Sequence, residues 1–201
     1  IVVNSLDKVI GRFGIVLDVI WLAIFVSAIY SVSHKKHHTV VGVLLAVPMV
    51  MSFWSSYLWN YRWLKITGHI CGVVFFAFIA VAILKFIFSQ DEIKRDLIAG
   101  AAVVYLLFAA LWAFAYRFLE IIHPGSFAAP QALNPGSADF SYLYYSLVTL
   151  TTLGYGDITP ATTAARVCSS LEAVIGQLYL VITVAWLVGM YVSKSVEKKS
   201  R

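Results

Sequence analysis

The residues with the clearest chemistry are the nine of Thr149–Asp157, which read Thr-Leu-Thr-Thr-Leu-Gly-Tyr-Gly-Asp. Gly154 and Gly156 admit left-handed backbone angles at little energetic cost. A backbone whose hand alternates over residues 152–156 can turn successive carbonyl oxygens to one side, with the Thr152 hydroxyl at the end of the column. One column cannot enclose an ion, but four around a common axis can replace the hydration shell of a cation.

A short helix is needed to position this segment. Residues Phe140–Thr151 are apolar but too few to cross a bilayer, and Glu120–Ala138 is rich in Pro, Gly, Ala and Ser, which predicts an exposed connection before them. A short apolar helix followed by Gly-Tyr-Gly predicts a re-entrant element, which membranes tolerate where protein or water surrounds it. The negative end of the helix dipole at Thr151 favours a cation at the pore centre.

The remaining sequence predicts the elements that surround this loop. The chain has 201 residues, of which 61% are hydrophobic and 12% are charged. This composition excludes a disordered chain and does not suit an ordinary water-soluble domain. Five apolar runs reach membrane length, so we predict an all-α membrane protein with five transmembrane helices and a re-entrant pore helix. The predicted spans are Gly14–Val32, Val40–Leu58, Gly68–Phe88, Leu97–Phe118 and Val167–Val192.

The distribution of charge predicts orientation and partners. The net charge of +5 does not predict a nucleic-acid partner, because the basic residues lie between apolar runs and at the C-terminus. The cations of that terminus predict a cytoplasmic end for a multi-pass protein of the cell membrane, with lipids as partners: Lys194, Lys198, Lys199 and Arg201. An interfacial aromatic belt is predicted at Trp54, Tyr57, Trp59, Tyr61 and Trp63.

With its Thr-x-x-Thr-x-Gly-Tyr-Gly-Asp motif between two spans, the region 97–194 resembles the pore domain of the tetrameric potassium channel superfamily. Its type is similar to the small bacterial channels with one pore loop per chain. The resemblance implies a homotetramer that lets K⁺ permeate passively, with no enzymatic activity and no organic cofactor. The implied filter is Thr152, Leu153, Gly154, Tyr155 and Gly156, with K⁺ ions coordinated at Thr152 to Tyr155. Residues 1–96 then form a three-helix region of unknown role and 195–201 a basic tail; no regulatory partner or gating stimulus is predicted.

The resemblance also assigns residues that support the filter. Tyr144 and Tyr145 stand where many channels carry a Trp pair, and Asp157 matches the acid at the outer mouth. Val148 stands where some bacterial channels carry a buried Glu, so a Glu–Asp contact from that position is absent here. We expect Tyr155 to pack outward against the aromatic residues of the pore helix. Thr149 and Thr151 complete this predicted set.

The last span supplies the predicted cavity and gate. Gly176 lies where the family often has a glycine hinge, although a glycine that allows close helix packing is an equal alternative. Gln177 is expected to face the cavity, and helical spacing brings other residues to the same face or to a narrow apolar constriction. These residues are Leu180, Val184, Ala185, Val188 and Val192.

Two acids lie inside predicted spans, where an ionisable residue is a candidate for function. Glu172 lies five positions before Gln177, about 140° around the helix, so it is expected to point away from the cavity. We expect it behind the filter, hydrogen-bonded or protonated, with either a structural role or a role in pH-sensitive gating. Asp18 in the first span is the other acid.

Other functions fit the sequence less well. A weakly selective cation channel usually lacks the filter tyrosine that is present here as Tyr155, and a potassium-transporter pore subunit usually carries four pore repeats in one chain. No span has the basic residue at every third position that voltage sensing requires. His34, His37 and His38 fit part of a di-iron box, but two lysines lie between them and further boxes are missing, so an enzyme is not predicted.

Overall fold

The structure, a computed structural model, describes residues 40, 42–49, 51, 61–90, 95–128 and 138–199. This part of the chain is mostly helical, as predicted. Three of its helices are long and apolar enough to cross a membrane: Arg62–Phe88, Leu97–Ile122 and Thr163–Ser193. The predicted first span, with Asp18, lies outside the described residues, as do His34, His37, His38, Trp54, Tyr57 and Trp59.

Two antiparallel helices, α1 (Arg62–Phe88) and α2 (Arg95–Ile122), form the peripheral part of this structure. Large apolar side chains such as Phe75 and Phe76 of α1 are fully buried in their shared core. The Arg62 guanidinium donates hydrogen bonds to the carbonyl oxygens of Ile121 and Ile122, at 3.2 and 3.4 Å. It therefore caps carbonyl groups that the helix end leaves without helical partners, and its charge suits the negative end of the dipole.

A stretch of helix before α1 overlaps the predicted second span. Residues 40, 42–49 and 51 are helical, and Ala46 and Met49 are buried in the core that contains α1 and α2. At the start of α1, Tyr61 and Trp63 are exposed, in agreement with an interfacial position.

The connection after α2 is more ordered than predicted. Strand β1 (Phe127–Ala128) pairs antiparallel with β2 (Thr159–Pro160), so the fold is not entirely helical. The backbone N–H groups of Gly125 and Phe127 donate to the two carboxylate oxygens of Glu120, at 2.8 and 3.2 Å. Phe127 is buried against the rings of three tyrosines, which is why residues 120–128 do not form the predicted exposed connection: Tyr116, Tyr142 and Tyr145.

The short helix α3 (Ala138–Leu150) packs against α2 and against the long helix α4 (Thr163–Lys199). All four helices begin earlier than the apolar runs predicted, and α2 and α4 also end later. The reason is physical: hydropathy marks the part of a helix that lies in lipid, whereas its hydrogen bonding continues through polar residues. The packed α2, α3 and α4 present the loop 151–157 at the C-terminal end of α3.

Candidate functional site

Three backbone N–H groups of the loop after α3 point back at the helix. Thr152 donates to the Thr149 carbonyl at 2.9 Å, and both Leu153 and Gly154 donate to the Val148 carbonyl, at 2.9 and 3.2 Å. In a trans peptide the carbonyl lies opposite the following N–H, and no cis peptide occurs in the described residues. The carbonyl oxygens of Thr151, Thr152 and Leu153 therefore all point away from α3, towards the same side.

The backbone hand alternates along this loop. Thr152, Gly154 and Gly156 have φ of +57°, +60° and +79°, and the two residues between them do not have positive φ. Glycine adopts this region easily, but it is uncommon for threonine, so the residue type of Thr152 does not indicate it. The Thr152 hydroxyl donates to the Thr151 carbonyl at 2.7 Å, which leaves its oxygen lone pairs available to a cation. At residues 151–153 the loop therefore turns its carbonyl oxygens to the side that lies away from α3.

The side chains of the loop lie on the surface of the single chain. Leu153 is 56% exposed and Tyr155 is 67% exposed. The expected packing of Tyr155 against the pore-helix aromatics stays a prediction, because most of its side chain is exposed in the single chain. Tyr142 and Tyr145 of α3 pack inward, against Phe127 and Tyr116 respectively.

Tyr144 and Asp157 join the pore helix to the far end of the loop. The Tyr144 hydroxyl donates to Asp157 Oδ2 at 2.7 Å, and the Ile158 N–H donates to Oδ1 at 3.0 Å. The hydrogen bond from Tyr144, with a smaller contribution from the Ile158 N–H, holds the pKa of Asp157 below its ordinary value. The same bond raises the pKa of Tyr144 to about 12. Asp157 is therefore a carboxylate at neutral pH, and its hydrogen-bond donor is Tyr144 rather than residue 148.

Replacing Tyr144 by phenylalanine is expected to make Asp157 easier to protonate. Because the pKa of Asp157 is lowered in the fold, its hydrogen bond with Tyr144 stabilises the fold at pH values above 3.8, the ordinary pKa of the carboxyl group. This stabilisation is lost as the pH falls through the lowered pKa of the folded protein. Without the donor, Asp157 should lose its charge at a higher pH. The measurement is single-channel conductance against pH on the side of the loop, where the acid-side decline should begin at higher pH in Tyr144→Phe.

Tyr145→Phe is the matched control, because the Tyr145 hydroxyl lies 2.7 Å from Ser169 Oγ and does not contact Asp157. Its acid response should coincide with that of the unmodified protein. A Tyr144→Phe curve that coincides as well would contradict the assignment of Tyr144 as the donor.

The other predicted support residues lie along α3. Val148 and Tyr145 are buried, and Tyr145 bonds to Ser169, whose own hydroxyl donates to the Ala165 carbonyl at 2.8 Å. Thr151 Oγ1 donates a hydrogen bond to the Leu147 carbonyl oxygen at 2.7 Å. The Thr149 carbonyl oxygen accepts a hydrogen bond from the Thr152 N–H. The Tyr145–Ser169 contact joins α3 to α4, and the hydrogen bonds of Thr151 and Thr152 join the start of the loop to α3.

Glu172 of α4 lies against α3 and is fully buried. Tyr116 of α2 and Ser146 of α3 form hydrogen bonds with its two carboxyl oxygens. The structure thus places it behind the loop, on the face that was expected from helical spacing.

Gly176 lies where α4 touches the end of α3. A Cβ atom at this position would lie 2.7 Å from the Leu150 carbonyl oxygen. The same oxygen accepts a hydrogen bond from the Tyr105 hydroxyl at 3.1 Å. Of the two alternatives, the contacts favour the packing glycine, and α4 runs through this position as one continuous helix.

Apart from Gly176, the predicted cavity and gate residues lie on the part of α4 that its own chain leaves uncovered. Only 11% of the apolar window of α4 is buried, against 44% for α2 and 33% for α1. The exposed set contains Gln177, Leu180, Val184, Ala185, Val188 and Val192. The buried strip, at spacings of three and four, contains Ala165, Ser169, Glu172, Gly176, Tyr179 and Thr183.

Several residues of this site were missed in the sequence. Tyr105, Ala109 and Tyr116 of α2 all contact the region behind the loop, through two hydroxyls and one backbone carbonyl. Ala109 and Tyr116 lie 4 and 11 residues after Tyr105, and these spacings place all three residues on one face of a helix. The spacing of Tyr105 and Tyr116, eleven residues apart in an apolar span, could have indicated that they share a polar partner. Nothing in the sequence indicates the role of Ser146.

Comparisons with known proteins agree with this geometry. Residues 100–193 match a protein family described as ion channel. A two-pore potassium channel c of Oryza sativa subsp. japonica is 40% identical over 75 residues, which are 35% of this chain. The match spans only 16% of that relative's length. No solved structure gives a significant match.

The family match and the three apolar helices point to a multi-pass membrane channel rather than an enzyme. The two matches support the potassium channel superfamily and confirm the resemblance predicted from the filter motif. They do not specify the small bacterial type within it.

Proposed function

We propose that four copies of this chain form a channel through which K⁺ passes selectively down its electrochemical gradient. The observation that carries the proposal is the alternating backbone of residues 152–156, with three carbonyl oxygens turned away from α3. Thr152, Leu153, Gly154 and Tyr155 supply the carbonyl oxygens, Thr152 adds its hydroxyl, and Gly156 shapes the outer end. Rings of these oxygens replace the water around K⁺, which is the transported ion and not a resident cofactor.

The surface of the single chain supports assembly about a common axis. One column of oxygens can contact an ion from one side only, and the loop that carries it is exposed. The helix α4 has the least buried apolar window of the three spans. Four copies arranged around the loops bury these surfaces and close the ring. Tyr155 then packs against a neighbouring copy.

The exposed face of α4 supports a cavity and a gate below the filter. Gln177 offers a polar contact to a hydrated ion, and Leu180 and Val184 line the cavity. Ala185, Val188 and Val192 form an apolar constriction, which gates by excluding water. Residues 97–194 act as the pore domain in the cell membrane, with the C-terminal tail 195–201 in the cytoplasm.

The decisive experiment is the reversal potential of the purified protein in a planar bilayer with K⁺ on one side and Na⁺ on the other. Each tenfold preference for one ion moves the reversal potential by about 59 mV. We expect a displacement of at least this size in the direction of K⁺. A value near zero would instead indicate a weakly selective cation channel. Transport without a conductance would indicate a transporter subunit.

A further inference from the structure

The buried carboxyl group of Glu172 is the meeting point of three helices. It belongs to the packed strip of α4, and its side chain is completely inaccessible. Oε2 accepts a hydrogen bond from the hydroxyl of Tyr116 on α2, and Oε1 lies in hydrogen-bond contact with Ser146 Oγ on α3. Ser146 Oγ also contacts the Ala109 carbonyl oxygen of α2 at 2.8 Å.

The number of protons that Ser146 can donate bears on whether the Glu172 carboxyl group is charged. A serine hydroxyl has one proton to donate, and a backbone carbonyl can only accept. The proton between Ser146 and Ala109 is therefore the serine's own. The geometry of the Ser146–Glu172 contact also permits donation by the serine, but with the serine proton on the Ala109 carbonyl the proton of this contact comes from Glu172. Oε1 is then the hydroxyl oxygen of a carboxylic acid and Oε2 its carbonyl oxygen.

The surroundings of Glu172 agree with a neutral group. The titratable side chains that face it are phenols: Tyr105 and Tyr116 from α2 and Tyr145 from α3. In the described part of the chain, no Lys, Arg or His forms an ion pair with it. An ionised carboxylate without a cationic partner is costly to bury, and more so at the depth of a membrane.

We propose that Glu172 is held as a neutral carboxylic acid and positions the pore helix from behind. It donates to Ser146 and accepts from Tyr116, so one side chain joins α2, α3 and α4. Ser146 lies one helical turn before Leu150, and the Val148 and Thr149 carbonyls that orient the filter N–H groups lie between the two. A shift of α3 therefore moves the filter. The protonation state does not depend on which ion permeates, so it can be tested separately from the proposed function.

Infrared spectroscopy of the full protein in lipid vesicles at neutral pH tests the protonation state. The spectrum of the unmodified protein minus that of Glu172→Gln should contain a carboxylic-acid C=O band. Tyr116→Phe should move this band to higher frequency, because the carbonyl oxygen loses its donor. A difference spectrum with only carboxylate bands, or a C=O band that Tyr116→Phe does not move, would overturn the proposal.

Thermal unfolding of the same samples provides a second test with a matched control. A glutamine amide can donate to Ser146 and accept from Tyr116, so Glu172→Gln should keep the unfolding midpoint, whereas Glu172→Leu should lower it by several degrees. Glu120 instead accepts two backbone N–H bonds, a task that an amide nitrogen cannot perform. Glu120→Gln should therefore lower the midpoint. A loss of stability in Glu172→Gln as large as in Glu172→Leu would contradict a neutral acid.

Discussion

Replacing Gly154 by alanine is expected to abolish K⁺-selective current while the protein still folds and assembles. Gly154 has φ of +60°, where an alanine costs about 1–2 kcal/mol in each copy. The backbone can relieve this cost by returning to negative φ, which turns a peptide group and breaks the column of oxygens. An added Cβ meets no atom within 4 Å in its own chain, so the surrounding fold is not disturbed. Reversal potential and the size of the detergent-solubilised complex should be measured together.

Gly125→Ala is the matched control for this prediction. Gly125 has φ of +85° and also has open space around the position of a Cβ, but it lies in the turn after α2. An alanine at position 125 has the same kind of backbone cost as one at position 154, but Gly125→Ala should leave the K⁺ selectivity unchanged. Persistent selective current in Gly154→Ala would mean that the oxygen column does not depend on this backbone angle.

Replacing Gly176 by alanine is expected to reduce both current and stability. The added Cβ would lie 2.7 Å from the Leu150 carbonyl oxygen and 2.8 Å from Leu150 Cδ1. The carbonyl belongs to the backbone and also holds the Tyr105 hydroxyl, so it cannot simply rotate away. Overpacking of this kind costs about 1–3 kcal/mol. We expect a lower unfolding midpoint and a loss of most of the current, because α4 must move away from α3.

Gly189→Ala separates packing from helix propensity. Gly189 lies in the same helix, and a Cβ there meets no atom within 4 Å of its own chain. Alanine favours an α-helix over glycine by about 1 kcal/mol, so this variant should keep or raise the midpoint. If Gly176→Ala keeps its midpoint and changes only the open probability, the glycine acts as a hinge and the packing argument is wrong.

The sequence predicted the parts of this fold that follow from periodicity and composition. The spans α1, α2 and α4 and the short α3 were expected because apolar runs of defined length specify membrane helices. The position of Glu172 on the packed face of α4 followed from helical geometry alone. The positive φ of Gly154 and Gly156 agrees with the freedom that glycine provides.

Other features depend on contacts that no local pattern encodes. The ladder between Phe127–Ala128 and Thr159–Pro160 has two residues on each side, too few to give an alternating signal. The left-handed Thr152 is fixed by the hydrogen bonds of its own N–H and of the next two, and not by its residue type. Ser146 could not be assigned as a partner of Glu172, because the hydropathy of α3 does not show which of its faces meets α4.

The arrangement of the loop after α3 has a consequence for biogenesis. A newly inserted copy without neighbours would hold peptide carbonyls at bilayer depth with neither water nor protein to satisfy them, a condition that lipid does not tolerate. In the proposed assembly, neighbouring copies satisfy these carbonyl groups, so the stability of the loop should increase with the density of the protein in the membrane. An unassembled copy should therefore show faster backbone hydrogen exchange at residues 151–157 than the assembled protein shows.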